Sequence, residues 1–322
     1  MFLYSHKDIS KVFMVGDIHG NFKQFFHKIK MSTPKKCDIV DEKILKDETL
    51  EYLKPHLDNL NSYLANTFIN YEAIDRSQNI IFENCLIIVA GDCGFGFEKE
   101  AYYHQIFSKY ITMLEENNIF IYFVRGNHDD PTYFSECKIN YSNIKSIPDY
   151  SVIETENDNI LCVGGAISID RSWRKQEEFR INKHKKNGKK LYWENEAPFF
   201  SEEKLNDILD NISINCVVTH SSTSFMPLSK DNLEQWAKMD KNVMEDTTKE
   251  RETLTLIYEY LIKREQKLKC WFHGHFHYNH LYEVKGMMVQ SLNDSFKFVQ
   301  IPTNIKEMLD PFSSLNSYIP IP

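Results

Sequence analysis

The sequence predicts an α/β fold. Short apolar runs, each about the length of one strand, alternate along the chain with segments that show helical periodicity. Near-continuous apolar runs are typical of strands that are covered on both faces, as in α/β sheets. The chain has 322 residues and is 42% hydrophobic, which is ample for a sizeable core. We therefore expect one domain over residues 1–322.

Six apolar runs are the predicted strands, and most of them end in glycine or histidine. They are, in order, residues 11–16, 85–91, 119–126, 159–165, 214–220 and 269–275. Two later segments, 280–292 and 296–301, predict further strands with a hairpin-type ending, since Lys285-Gly286 is a turn-forming pair.

Helical periodicity fills the intervals between these strands. The predicted helices are residues 21–31, 98–117, 201–212 and 247–269. Ser201 is a suitable N-cap for the third of them.

Two regions interrupt the alternation. Residues 31–80 are charged and helix-prone, and they predict a helical insertion that serves either as a lid or partner surface or as a passive decoration. Residues 171–200 include the run KHKKNGKK and predict a basic loop region, either solvated or covering a polyanionic substrate.

Composition narrows the class of protein. The net charge of −8 and pI of about 5.9 do not indicate a broad nucleic-acid surface, although a local basic patch stays open. No apolar run reaches the ~18 residues of a membrane span, and the N-terminus lacks the pattern of a signal peptide. Seven cysteines without a C-x-x-C pair indicate reduced core thiols. We therefore expect a cytoplasmic protein with no membrane partner.

Asp, Asn and His side chains follow five of the predicted strands. Because ligands of open α/β sheets bind beyond the carboxyl ends of the strands, these groups are expected to converge. They are Asp17 and His19, then Asp92, then Asn127, His128 and Asp129, then His220, and finally His273, His275 and His277.

These side chains suit divalent first-row metals such as Mn, Fe or Zn, which bind carboxylate, imidazole and amide oxygen. Their number exceeds what one metal needs, and a pair of metals ~3.5–4 Å apart is a common device for hydrolysing phosphate esters. Each motif alone could be an ordinary turn with a hydrogen-bonded histidine. Their joint occurrence at five strand ends favours a metal site.

The motifs GDIHG, GDCG, GNHD, TH and GHFH follow one another between residues 16 and 277. In this order they resemble the calcineurin-like metallophosphoesterase superfamily. The resemblance implies a four-layer α/β/β/α sandwich with two mixed β-sheets. It also implies an enzyme that hydrolyses phosphomonoesters or phosphodiesters with two divalent metal ions, for which Mn, Fe, Zn and Ni are candidates.

The resemblance assigns a role to each residue of these motifs. It implies that Asp92 bridges two metals and that a metal-bridging hydroxide attacks phosphorus, while His128 protonates the leaving oxygen as general acid and Asp129 steadies the site. It leaves His273 outside the ligand set, where we expect a structural hydrogen bond. The remaining implied ligands are Asp17, His19 and His277 for one metal and Asn127, His220 and His275 for the other.

The second motif departs from the protein serine/threonine phosphatase branch, which carries GDYVDRG. Here it reads GDCGFGF, without the phosphate-binding arginine and the second aspartate. Together with GGAISID and YWENEAPFFSEE, it looks more like a poorly characterised bacterial and phage branch. A phosphodiesterase or nucleotide-type substrate is thus favoured. A protein phosphatase, a nuclease and an inactive binding or scaffold protein of the same fold stay open.

Candidate substrate contacts are arginines near these motifs. An arginine can hold a phosphate with two parallel hydrogen bonds, but each of these could equally lie on a solvated loop. They are Arg125, Arg171 and Arg174. The oligomeric state is left open.

Overall fold

The computed structural model describes residues 1–34, 80–183, 188–226 and 233–302, which form two β-sheets flanked by helices. The smaller sheet has five strands, in the spatial order β12 (Val299–Gln300), β2 (Lys11–Val15), β3 (Cys85–Val89), β4 (Ile119–Phe123) and β5 (Ile144–Ser146). The last four strands run parallel, and β12 pairs with β2 antiparallel.

The larger sheet has seven strands. Their spatial order is β1 (Phe2–His6), β6 (Ser151–Thr155), β7 (Asn159–Val163), β8 (Cys216–Thr219), β9 (Cys270–His273), β11 (Met287–Ser291) and β10 (His280–Val284). Two pairs, β6 with β7 and β10 with β11, are antiparallel, and the other neighbours are parallel. Both sheets are therefore mixed, as expected, and Lys285-Gly286 forms the turn of the β10–β11 hairpin.

Helices flank the two sheets. Those in the described ranges are α1 (Phe22–Met31), α2 (Glu100–Phe107), α3 (Ile111–Glu116), α4 (Thr132–Ser135), α5 (Arg171–Asn182), α6 (Glu202–Leu209), α7 (Leu233–Ala237) and α8 (Val243–Lys263). The predicted helix over 98–117 is interrupted at residues 108–110 and forms α2 and α3. Ser201 caps α6 as expected, because its side chain accepts a hydrogen bond from the backbone N of Lys204 at 3.3 Å.

The basic loop predicted over 171–200 needs correction, because it begins with a helix of 12 residues, α5. Its first turn is held by Arg171, whose guanidinium pairs with Asp240 and Asp246 at 2.6 and 2.7 Å. Residues 188–200 are loop, as predicted.

Alternating side chains along the strands divide the core into three layers. In β2, Phe13 and Val15 pack on the side of α1, whereas Val12 and Met14 pack between the sheets. On the far face of the larger sheet, strand residues pack against α6 and α8; among them are Val217, Trp271, Leu205 and Leu254. Helix, sheet, sheet and helix thus stack in the four-layer order that the resemblance implied.

The insertion predicted at 31–80 falls largely on residues 35–79, which lie outside the described residues. A single domain over 1–322 likewise stays a prediction. None of the helices in the described part of the chain has both the length and the apolar character that a membrane crossing requires.

Candidate metal centre

Five loops from the two sheets meet at one end of the molecule. Each follows the carboxyl end of a parallel strand: β2, β3 and β4 in the smaller sheet, and β8 and β9 in the larger. Backbone contacts join the loops, since the N–H groups of Ile18 and His19 both donate to the carbonyl of Asp92. Across the sheets, His220 Nδ1 lies 2.7 Å from the carbonyl oxygen of Ala90. The convergence predicted from the strand ends is thus observed.

Four side chains form a first group that could hold a metal ion. Asp17, His19, Asp92 and His277 each offer an atom, and these atoms all lie within 4.8 Å of one another. His277 Nε2 is 2.9 Å from Asp17 Oδ2 and 3.2 Å from His19 Nε2. Asp17 Oδ2 is buried and has no well-formed hydrogen bond. A cation among these atoms would satisfy that oxygen, so the residues present fit a divalent metal.

A second group lies on the other side of Asp92. His220 Nε2 is 3.1 Å from Asp92 Oδ1 and 2.9 Å from Asn127 Oδ1. Because His220 Nδ1 faces the Ala90 carbonyl, Nε2 is the nitrogen that points into this group. His275 is adjacent, with its ring centroid 5.1 Å from that of His220 and its backbone N–H on Asp17 Oδ1. Asp92 therefore contacts both groups, as a bridging ligand would.

The acidic surroundings act strongly on His220. Burial opposes the charged imidazolium, but the carboxylates of Asp92 and Asp17 outweigh it and raise the pKa of His220 to about 10. In the same way, His128 and His220 hold the pKa of Asp92 well below its usual range despite its burial. A proton on His220 thus supplies positive charge at the place where a metal would supply it, and metal binding would displace that proton.

The backbone conformation is unusual at several of the candidate ligands. His19, Asp92, His275 and His277 all have positive φ, between 44° and 71°. Such values are uncommon for residues with a Cβ and cluster at functional sites. They turn the chain sharply just after each strand, which lets short loops aim two side chains at one point.

His128 lies next to Asp92 without belonging to either group of four ligands. Its backbone N–H donates to Asp92 Oδ1 at 2.8 Å, and its ring Nδ1 is 3.9 Å from Asp92 Oδ2. The guanidinium of Arg174 contacts both ring nitrogens, with Nη2 2.9 Å from Nδ1. Asp170 holds that arginine through a 2.7 Å ion pair. Burial, reinforced by Arg174 against the pull of Asp92, lowers the pKa of His128 to about 4.

Asp129 makes its contacts away from the His128 ring. Its carboxylate accepts hydrogen bonds from four backbone N–H groups, which belong to Cys93, Gly94, Phe95 and Gly126. These bonds lock the loop after β3 to the loop after β4. They favour a role in holding the loops, and the catalytic role assigned to Asp129 stays a prediction.

The three candidate arginines differ in their surroundings. Arg125 is buried and donates to Asp149 and to four backbone carbonyl groups of nearby loops. Arg171 is engaged by Asp240 and Asp246. Arg174 reaches the candidate site through His128. Substrate binding stays a prediction for all three, and the contacts favour it for Arg174.

His273 is buried beside the metal groups and makes hydrogen bonds of its own. Its ring lies 3.3 Å from the hydroxyl of Tyr282 and 3.2 Å from the carbonyl of Gly274. Burial lowers its pKa to about 4. These contacts agree with the structural role expected for it.

Three buried polar residues near the site were not predicted from the sequence. Ser168 accepts a hydrogen bond from Asn127 Nδ2, and Glu196 accepts from Ser168. Glu250 on α8 accepts from the backbone N of Ile167. The motifs GGAISID and YWENEAPFF stood out in the sequence, but nothing in a single Ser or Glu indicates that it is buried.

Fold and site together define a phosphoesterase-type α/β sandwich whose central loops carry a candidate metal centre. The chain belongs to the calcineurin-like phosphoesterase family, whose model matches residues 10–279.

Comparisons with curated proteins and with solved structures gave different results. None of the curated proteins matches this chain, whereas 37 chains of solved structures do. Among them is the sulfate thiohydrolase SoxB of Thermus thermophilus in complex with glycerol, with 10% sequence identity and a TM-score of 0.33. That match covers 92% of this chain and 53% of SoxB, so this chain spans about half the length of that protein.

Proposed function

We propose that this protein is a metal-dependent phosphoesterase that hydrolyses phosphomonoesters or phosphodiesters, with nucleotide or diester substrates favoured. The observation that carries the proposal is the shared carboxylate of Asp92. Its Oδ1 is 3.1 Å from His220 Nε2 in one group, and its Oδ2 is 3.8 Å from His19 Nδ1 in the other. Membership of the phosphoesterase family supports the same reaction.

The proposed site holds two divalent metals, one on each side of Asp92. Asp17, His19 and His277 would bind the first, and Asn127, His220 and His275 the second. When bound, such metals lower the pKa of a coordinated water and neutralise charge on phosphate oxygens. Metal analysis of the purified protein would distinguish Mn, Fe, Zn and Ni.

The chain itself supplies the proton for the leaving group. His128 is anchored by its backbone N–H to Asp92, so its ring is held beside the metal groups. Near pH 7 the free ring is neutral, because its pKa is about 4, so it would have to gain a proton before it could act as general acid towards the leaving oxygen. Arg174, oriented by Asp170 and in contact with His128, is the proposed phosphate-binding arginine, since a guanidinium can bind phosphate oxygens.

The second motif disfavours a protein phosphatase. Phe95, within GDCGFGF, is fully buried and packs against Tyr133 and Phe123 in the core. Phe97 packs edge-on against Trp193. These aromatic side chains cannot replace the phosphate-binding arginine of that branch, which leaves Arg174 as the arginine nearest His128 among the three candidates.

A reducing compartment such as the cytoplasm is also proposed. The support comes from the sequence, in which seven cysteines form no C-x-x-C pair. Thiols without such pairing are typical of proteins in reducing compartments.

The function is tested with p-nitrophenyl phosphate and bis-p-nitrophenyl phosphate. Metal content of the purified protein is measured first, and turnover is then measured with Mn, Ni, Fe or Zn added. We expect about two bound metals per chain and hydrolysis of at least one ester, with the diester preferred. Absence of turnover on both esters under all four conditions would overturn the proposal.

A further inference from the structure

Asn127 faces a choice that the other candidate ligands do not. Its amide can turn either an oxygen or an NH₂ group towards His220, and the oxygen is the atom that can bind a metal. In the structure the oxygen points that way, with Oδ1 2.9 Å from His220 Nε2. The NH₂ group points to Ser168, where Nδ2 donates to Oγ at 2.9 Å. Asn127 is buried, so water does not compete for these bonds.

Ser168 and Glu196 set the direction of this chain of hydrogen bonds. The hydroxyl of Ser168 has one proton, and it goes to Glu196 Oε2 at 2.6 Å. The backbone N–H of Ser168 donates to the other carboxylate oxygen at 2.9 Å. When Glu196 is ionised, its carboxylate only accepts hydrogen bonds, so the Ser168 oxygen must then accept from Asn127. Asn127 is then obliged to keep its oxygen towards His220.

We propose that Ser168 and Glu196 are positioning residues that hold the Asn127 amide with its oxygen towards the second metal group. The proposal rests on the proposed metal-dependent function. It assigns a role to the segments GGAISID and YWENEAPFF, each of which supplies one of the two residues.

The two segments are fixed to each other and to the loop after β4 that carries Asn127. Arg125, two residues before Asn127, donates from Nη1 to the carbonyl of Glu196 at 2.7 Å and from Nη2 to that of Gly164 at 3.2 Å. The backbone N of Ala166 donates to the same Glu196 carbonyl. Arg125 thus holds the two segments in place through hydrogen bonds inside the protein.

Replacing Glu196 by glutamine changes which hydrogen bonds the side chain can accept but keeps its shape. A glutamine offers one oxygen and one NH₂ group, so it cannot accept from both the N–H and the hydroxyl of Ser168. When its NH₂ faces Ser168 Oγ, the hydroxyl proton is released towards Asn127. The Asn127 amide then turns its oxygen to Ser168 and its NH₂ group to the metal.

The test is a titration of metal-free protein with Co²⁺. Binding is monitored by calorimetry and by the visible absorption of the bound ion. It is run at pH 8.5, because burial raises the pKa of Glu196 to about 8 and the carboxylate must be ionised. Glu196→Gln and Ser168→Ala are each expected to weaken one of two Co²⁺ sites ~10–100-fold and to leave the other unchanged. Thermal melts verify that each variant is folded.

Glu178→Gln is the matched control. Glu178 is half-buried and accepts hydrogen bonds from the backbone N–H groups of Leu191 and Tyr192, with no hydrogen bond to Ser168 among those described. Its replacement is expected to keep both Co²⁺ affinities. A double variant is more decisive still: in an Asn127→Asp background no amide can turn, so Glu196→Gln should cause no further loss.

Several outcomes would overturn the proposal. They are unchanged affinity at both sites in Ser168→Ala and Glu196→Gln, equal weakening of both sites in these variants, and a loss in Glu178→Gln as large as theirs. If Glu196→Gln does not fold, Ser168→Ala decides alone. Wild-type protein that binds two Co²⁺ ions but hydrolyses no ester would refute the proposed function and leave this inference standing. Protein that binds no Co²⁺ would refute both.

Discussion

His128 lies between groups of opposite charge, with the carboxylate of Asp92 on one side and the guanidinium of Arg174 on the other. A histidine in this position could transfer a proton without movement of Asp92 or Arg174. Its backbone, which donates to Asp92, would remain if the ring were removed. Removal of the His128 ring should therefore lower catalysis but leave metal binding unchanged.

We expect His128→Ala to lower kcat for an aryl phosphate ester by ~10²–10⁴-fold, the usual worth of a general acid. Metal content should stay at the wild-type level, because the backbone contact to Asp92 is retained. Turnover and metal analysis on the same preparation test this. His27→Ala, on the exposed side of α1, is the control and should change neither. Near-normal turnover in His128→Ala would exclude it as the proton donor.

Gly91 shows how tightly the backbone approaches the site. A Cβ there would lie 2.1 Å from His220 Nδ1, and its φ of +97° is unfavourable for any other residue. Gly286, in the β10–β11 turn, has a φ of +75° with nothing within 4 Å of a Cβ. The pair separates backbone strain from crowding.

Gly286→Ala should therefore lower the free energy of unfolding by only ~1–2 kcal/mol, the cost of the left-handed conformation. Gly91→Ala should cost more, and it should also weaken metal binding because His220 must move. Urea unfolding and Co²⁺ titration of both variants measure the two effects. Equal losses in the two variants would mean that contact with His220 is unimportant.

At the scale of single elements, α5 is held in place by polar contacts. Arg174 is its one side chain classed as buried, and the helix is anchored by the pairing of Arg171 with Asp240 and Asp246. At its other end, Glu178 accepts hydrogen bonds from the backbone of Leu191 and Tyr192. The position of Arg174 beside His128 thus depends on ion pairs some distance from the site.

Arg171→Met should loosen α5. Hydrogen exchange of residues 171–182 is expected to quicken at least about tenfold, since charged hydrogen bonds contribute ~1.5–3 kcal/mol each. Turnover should fall through displacement of Arg174, whereas exchange in the central strands should stay the same. Arg180→Met, on the same helix but with a side chain 74% exposed, is the control. Unchanged exchange in α5 would show that other contacts hold it.

Elements with a strong apolar signal were predictable from the sequence. The six apolar runs correspond to β2, β3, β4, β7, β8 and β9, because each is buried on both faces. β1 was missed: it is an edge strand with mostly exposed residues, and its sequence FLYSH has no run or alternation to mark it. The break between α2 and α3 also left no sign, since the apolar spacing continues through it.

The candidate site was predictable as a set of residues, but its supports were not. Asp and His after strand ends carry a recognisable pattern, and the structure brings them together. The proposed role of Ser168 and Glu196 depends on which group donates each hydrogen bond. That in turn depends on where neighbouring loops lie in space. Arg125 and Arg171 likewise form ion pairs with residues that are distant in the sequence, so these contacts could not be predicted.

For the molecule as a whole, buried acids should make stability depend on pH. Burial raises the pKa of Glu250 from 4.5 to about 7. Its folded pKa lies above its unfolded pKa, so the folded state binds more protons between these values. The stability that Glu250 contributes is full below pH 4.5 and is lost as pH rises through about 7.

Glu250→Gln removes this dependence, because a glutamine does not titrate. Between pH 5 and pH 8, the metal-free wild type should lose ~2–3 kcal/mol relative to the variant, at ~1.4 kcal/mol for each pKa unit. Denaturant unfolding of both proteins across this range gives the difference. A difference that does not change with pH would mean that Glu250 titrates alike in the folded and unfolded chain.

The candidate metal centre also bears on how the protein is made. Asp17 comes from near the start of the described chain and His277 from near its end, yet their side chains lie 2.9 Å apart. A ribosome must therefore release almost the entire family region before all four candidate ligands of the first group are present. Metal loading is expected to follow synthesis, and a product truncated before β9 would lack His275 and His277 and so be unable to complete either group.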